Sequence, residues 1–317
     1  MTELPDDDGG GAGRPGPRAH TANTANTANT ANTAHIAAED FGRAYMGVPA
    51  TPFEQAAASR RWGWLYFAEH IVRQFRAYLV SVLMYDIGQL VLYLLAMGVA
   101  LGTLVDANTE SVDGVSYLVF VAPAIVVAQA IQTANGEMSF PVMEGFKWRR
   151  WYFGAAATPV SPGQIAMGHQ VTVLVRYFLQ AFLALLILWA FGALASPWSW
   201  LLVPISMLAG MSFGAPLQAY SATRKDEGFS FSAIQRFVVM PMFLFAGTFF
   251  PLTTMPTYLQ WIGWISPVWH GSELARWATY GHVVAPSMAV VHVAFLTVLT
   301  VVGLLLGRRV YRRRLSE

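Results

Sequence analysis

Apolar and polar positions along this chain fall into three regimes. Residues 1 to about 52 carry no periodic apolar pattern. From Arg60 to Arg76 the spacing becomes helical: Trp64, Phe67, Ile71 and Phe75 recur three and four apart, with Arg60, Arg61, Glu69, Arg73 and Arg76 off that stripe. An aromatic stripe flanked by arginines predicts a helix lying on the anionic cytoplasmic face of a membrane. After residue 78, apolar runs of about 20 residues recur, long enough to cross a hydrocarbon core roughly 30 Å thick. Six spans are predicted, at 79–104, 115–134, 164–191, 198–220, 231–250 and 286–307. Between the last two lies Phe245–Arg276, too apolar for a free loop and broken by Pro251, Pro256 and Pro267. It predicts short helices that re-enter the outer surface, with Tyr258, Trp261, Trp264 and Trp269 at headgroup level.

Composition agrees with a bilayer-embedded body. Only 12% of the 317 residues are charged, against roughly a quarter in soluble domains, so an all-α membrane protein is expected. Without cysteine, disulfides and thiolate metal sites are excluded. The N-terminus has no apolar run of the kind a removable signal peptide needs. Four Thr-Ala-Asn repeats at Thr21–Thr33, bracketed by His20 and His35, predict a disordered low-complexity tail over 1–52, followed by a membrane domain over 53–317.

Basic residues set the orientation. Lys147, Arg149 and Arg150 lie between spans two and three, Arg224 and Lys225 between four and five, and Arg308, Arg309, Arg312, Arg313 and Arg314 after span six. The alternate loops hold Asp106, Glu110 and Asp113 or almost no charge, with Arg276 the lone basic residue. Both termini are therefore expected in the cytoplasm. Glycines four apart occur at Gly98/Gly102, Gly210/Gly214 and Gly303/Gly307, a spacing that admits close helix contact and is read as internal packing.

Three constellations are candidates for function. The inner loop after span two holds Glu144, Phe146, Lys147, Trp148, Arg149, Arg150, Trp151 and Tyr152. A short amphipathic helix there would present aromatic and basic groups to a cytoplasmic partner, or anchor at the headgroups. Within the spans, Asp86 and Gln89 on span one and Arg176 and Gln180 on span three are costly in hydrocarbon unless paired or hydrated. A structural ion pair, a snorkelling Arg176 and a substrate path are the alternatives for them. In the outer element, His270, Glu273 and Arg276 recur at i, i+3 and i+6, as in a salt-bridged helix or a polar rim for substrate.

Gly210–Gly214 also matches G-x-S-x-G, and Ser212 on span four with His292 on span six is the arrangement of rhomboid intramembrane proteases. At 1.5 Å per residue, Ser212 lies roughly 20 Å and His292 roughly 9 Å below the outer surface, too far apart for a dyad. No G-x-x-x-x-G-K-[ST] phosphate loop is present, so an ATP-driven activity needs another chain.

With those residues in view, the chain resembles the membrane permeases of type-2 ATP-binding-cassette (ABC) exporters, in their drug-resistance and lipo-oligosaccharide branch. The likeness rests on LYLLAMGVALGTLV (92–105), AAATPVSPGQIAMGH (155–169), FAGTFFPL (245–252) and ISPVWHGSELAR (265–276), and covers about 58–315. The resemblance implies an interfacial elbow helix at Arg60–Arg76, a coupling helix within Glu144–Tyr152, and short outer helices at Pro251–Ile265 and Pro267–Trp277. It also implies a cytoplasmic-membrane protein of a bacterium, with two permease copies, alike or different, and two ATPase subunits that carry the ATP and Mg. This chain would bind no cofactor and no nucleic acid. Its substrate would be an amphiphile such as a lipid-like natural product, glycolipid or hydrophobic drug, moving past surrounding lipids. Spans one and five would line the route, which adds Phe243 and Phe249 to the path candidates. A rhomboid-type protease and a non-transporting membrane assembly partner are the competing classes.

Overall fold

The computed structural model describes residues 51–75, 79–109, 111–226 and 228–316; residues 1–50 of the expected tail lie outside them. The chain divides into two units, residues 1–58 and 59–317. In the first, helix α1 (Pro52–Phe75) starts at a capping box: Thr51 N donates to Glu54 Oε2 at 2.6 Å and Glu54 N to Thr51 Oγ1 at 3.4 Å.

In the second unit, α1 shows the predicted stripe, with Phe67 buried and Trp64 and Ile71 half-buried, while Trp62, Leu65 and Tyr66 are exposed. The Phe75 side chain and Arg76 lie outside the described residues. Among the described residues, five helical stretches after α1 are long and apolar enough to cross a membrane, which α1 is not: α2 (Leu79–Asn108), α3 with α4 (Tyr117–Met138, Phe140–Phe146), α6 (Pro162–Ala190), α7 (Leu202–Thr223) with the short turn before it, and α11 (Pro286–Leu315). Between them stand α5 (Trp151–Ala156), α8 (Ser230–Phe245), α9 (Thr257–Trp264) and α10 (Pro267–Tyr280). The predicted span 231–250 forms the shorter α8, which covers roughly 24 Å. Its helix stops at Phe245, and Gly247 turns the backbone to φ +75° before Pro251.

The α3–α4 span is the centre of the bundle: 83% of its apolar window is buried, against 22% for α2 and 17% for α11. That leaves the first and last spans to face lipid or another chain. Helix α1 lies along the inner half of α6, where Gln164 Nε2 donates to Arg60 O at 2.8 Å and Thr172 Oγ1 to Ala68 O at 3.3 Å. All three glycine pairs pack inside the chain, as the spacing suggested. Gly98 meets Leu118, Gly210 and Gly214 meet Tyr177, and Gly303 takes the ring of Pro216, which a Cβ there would strike.

The helices gather the basic loops at one end. Arg314, near the end of α11, donates from Nη1 to Ala222 O at 2.5 Å and Arg224 O at 2.8 Å, where α7 ends, and lies 4.3 Å over the Phe146 ring. A cation at those terminal carbonyls is favourable. At the other end, Tyr280 of α10 donates to Asp113 between α2 and α3. The charge asymmetry of the sequence is thus an asymmetry of the bundle.

Candidate functional site

The expected coupling helix within 144–152 is two helices and a turn. Helix α4 ends at Phe146, Arg150 turns the chain with φ +54°, and α5 begins at Trp151. Gly145 permits the reversal, because a Cβ there would collide with Trp151 and Tyr152 folded back upon it. The turn splits the candidate residues. Lys147, Trp148, Arg149 and Arg150 are exposed, with Trp148 at 48%. Arg149 Nε pairs with Glu144 Oε1 at 2.7 Å and lies over Trp151, and Arg150 lies over Phe153. These contacts order a basic-aromatic knob.

Phe146 and Tyr152 are buried instead, in an aromatic hub that sequence spacing missed. Phe146 and Tyr152 rings stand 4.7 Å apart; Tyr311 of α11 lies 4.9 Å and 5.2 Å from them, and Phe67 of α1 lies 5.9 Å from Tyr152. The Tyr152 hydroxyl lies 2.8 Å from His169 Nδ1 on α6, and Gln218 Nε2 of α7 donates to the Tyr311 hydroxyl at 3.3 Å. Six helices therefore meet directly beneath the exposed knob. The rings of Phe146, Tyr152, Tyr311 and Phe67 and the hydrogen bonds to His169 and Gln218 tie the six together.

Among the intramembrane candidates, Arg176 pairs with both Asp86 (Nη2 to Oδ2, 3.6 Å) and Glu137. The Asp86–Arg176 alternative is the one formed, and its second carboxylate was not foreseen. Glu137 lay beyond the predicted end of span two, whereas α3 runs on to Met138 and carries it into the bundle. Gln89 is half-buried, and Gln180 is buried with its Oε1 lacking a hydrogen-bond partner. Phe243 packs between Tyr93 (5.6 Å) and Phe249 (5.2 Å), and Phe249 O accepts from the Tyr117 hydroxyl at 2.9 Å. These two phenylalanines brace the bend after α8.

In the outer element, Ser266 caps α10 by accepting from Val268 N at 3.1 Å, and Gly281 at φ +80° ends it. Tyr258, Trp261 and Trp264 are exposed as headgroup anchors would be; Trp269 packs on His270 and His292. The i, i+3, i+6 residues part company. Glu273 Oε1 accepts from Arg276 Nη1 at 3.1 Å, while His270 Nδ1 lies 2.7 Å from His292 Nδ1 and its Nε2 donates to Trp264 O at 3.0 Å. Arg276, 1% exposed, also donates from Nη2 to Gly247 O at 2.6 Å and from Nε to Phe120 O at 3.3 Å, and lies 3.9 Å over the Phe120 ring. Ser212 donates within its own helix to Ala209 O at 2.7 Å, so neither it nor His292 is in a catalytic hydrogen bond with the other.

Residues 67–280 match a protein family described as ABC-2 type transporter. Curated relatives include Nodulation protein J of Rhizobium leguminosarum bv. viciae, 26% identical over 231 residues that cover 72% of this chain and 85% of the relative. Nodulation protein J of Rhizobium meliloti is 23% identical over 268 residues, 82% of this chain and 97% of the relative. That of Bradyrhizobium diazoefficiens is 27% identical over 224 residues, covering 70% and 82%.

Proposed function

Because this chain belongs to the ABC-2 type transporter family, a family of multi-pass membrane proteins, we propose that it is the permease subunit of an ATP-driven exporter. In this reading a separate ABC ATPase, in two copies, supplies the ATP and Mg and docks on the Lys147–Arg150 turn of each of two permeases. The observation that carries it is the exposed basic-aromatic turn seated on a buried hub of six helices. Exposed tryptophan and arginine suit a docking contact, and the hub gives the contact mechanical purchase. ATP-driven closure of the ATPase pair would push the turn and tilt the hub helices together.

The substrate proposed is an amphiphile, as the resemblance to the drug-resistance and lipo-oligosaccharide export branch implies. Two features support an amphiphile. Exposed aromatic residues line the outer surface at Tyr258, Trp261 and Trp264, and a polar group of Asp86, Gln89, Arg176, Gln180 and Glu137 sits within the spans. An apolar chain would keep to the lipid-facing side while a polar head passes the ionic tier.

The test is copurification with an ABC ATPase subunit, followed by substrate-stimulated ATP hydrolysis in liposomes. Trp148→Ala with Arg149→Glu is expected to abolish ATPase pairing and export together. A purified permease that exports alone, or a residue 148 labelled from outside the cell, overturns the reading. ATPase pairing without any transport would favour an assembly role instead.

A further inference from the structure

A line of alternating charge crosses the outer face, in contacts that the inner coupling site does not involve. Asp113, in the turn between α2 and α3, accepts from the Tyr280 hydroxyl at 2.7 Å and lies 2.5 Å from His282 Nδ1. His282, in the link from α10 to α11, places its other nitrogen, Nε2, 3.1 Å from Glu273 Oε2 on α10. Glu273 in turn holds Arg276, whose guanidinium reaches the start of α3 at Phe120 O and the bend after α8 at Gly247 O. The α2–α3 turn, the start of α3, the bend after α8 and the link to α11 are thereby stitched to α10.

The geometry fixes the charge of the middle member. Both ring nitrogens of His282 face carboxylate oxygens. A neutral imidazole donates from one nitrogen only and would turn a lone pair on the other toward a carboxylate; the imidazolium donates from both. With His282 protonated, two anions and two cations balance. Deprotonation leaves a net negative group at a partly buried site. The other titratable groups near it are Tyr280, bound to Asp113, and His270 and His292, which pair with each other beside Glu273.

We propose that Asp113, His282, Glu273 and Arg276 are the positioning residues of the exit: a charge-balanced latch that holds α10 against the α2–α3 turn while the outer side is shut, and that parts when substrate leaves. This rests on the exporter reading. The hydrogen bond that His282 donates to Glu273, ahead of the opposing effect of burial, raises the His282 pKa above its ordinary 6.5. Burial pushes Glu273 upward, but the His282 hydrogen bond and the Arg276 charge outweigh it and hold that carboxyl below its ordinary value. For a histidine whose folded pKa is raised, the stabilisation is complete below the unfolded value and is lost as pH rises through the folded one. The latch therefore loosens as the outside medium turns alkaline.

Because the chain contains no cysteine, Asp113→Cys with His282→Cys introduces the only two thiols. The full permease with its ATPase, reconstituted in liposomes, is treated with a short thiol-reactive crosslinker that reductant cleaves. The expected result is loss of export with the ATPase still bound, and recovery on reduction. In parallel, His282→Gln is expected to flatten the dependence of export on outside pH. Bridged protein that exports at the unbridged rate, or a His282→Gln variant with the wild-type pH profile, overturns the latch alone. Wild-type protein that exports nothing with its ATPase overturns the exporter reading and the latch with it.

Discussion

Truncation of Tyr152 tests the hub most directly. Its side chain is fully buried, with rings of Phe146, Tyr311 and Phe67 at 4.7, 5.2 and 5.9 Å and a hydroxyl 2.8 Å from His169 Nδ1. Tyr152→Phe keeps the ring and removes only the hydroxyl. The cost is one buried hydrogen bond and an unsatisfied partner, about 1–3 kcal/mol. Tyr152→Ala also removes the ring from three aromatic contacts. Burying an aromatic and then deleting it costs about 3–5 kcal/mol, so the alanine variant is expected to be the less stable of the two by several kcal/mol. Thermal unfolding in detergent measures the difference. The same pair separates binding from transmission: the exposed knob survives in both variants, so both are expected to retain the ATPase, while Tyr152→Ala alone loses transport per ATP hydrolysed. Equal stability of the two variants would refute the ring-packing argument. Full coupling in Tyr152→Ala would refute the hub as the route of transmission.

Three further outcomes are expected. Trp148→Ala, at an exposed position, is expected to change thermal stability by no more than about 0.5 kcal/mol while releasing the ATPase in a pull-down. Arg176→Met leaves Asp86 and Glu137 without their shared cation, a loss of about 3–5 kcal/mol; the triple change with Asp86→Asn and Glu137→Gln is expected to recover much of it in the same melt. Arg276→Lys keeps the charge but not the planar fork that reaches Glu273, Gly247 O and Phe120 O at once, so proteolysis of the outer segment is expected to quicken. Wild-type susceptibility there would count against Arg276 as its strut.

What could be read from residues alone follows from what a bilayer demands of any chain. A span must be apolar over its length, so the order and rough extent of the apolar helices are written in local composition, although the expected span 231–250 is a shorter helix than the five long enough to cross. The aromatic stripe of α1 and the proline-broken outer helices are legible for the same reason: Trp64, Phe67 and Ile71 obey a helical period, and Pro251, Pro256 and Pro267 forbid a continuous helix. Partners are another matter. Arg176 had one visible candidate until α3 proved long enough to bring Glu137 beside it. Lys147–Arg150 and their neighbours Phe146 and Tyr152 look alike in sequence, and only the reversal over Gly145 sends the former out and the latter in. Tyr280 and Asp113 stand 167 residues apart, and no periodicity relates them. Periodicity records which face of an element is apolar; which faces meet is settled by how whole helices pack, because a charge or ring finds its counterpart through three-dimensional proximity and not through spacing along the chain.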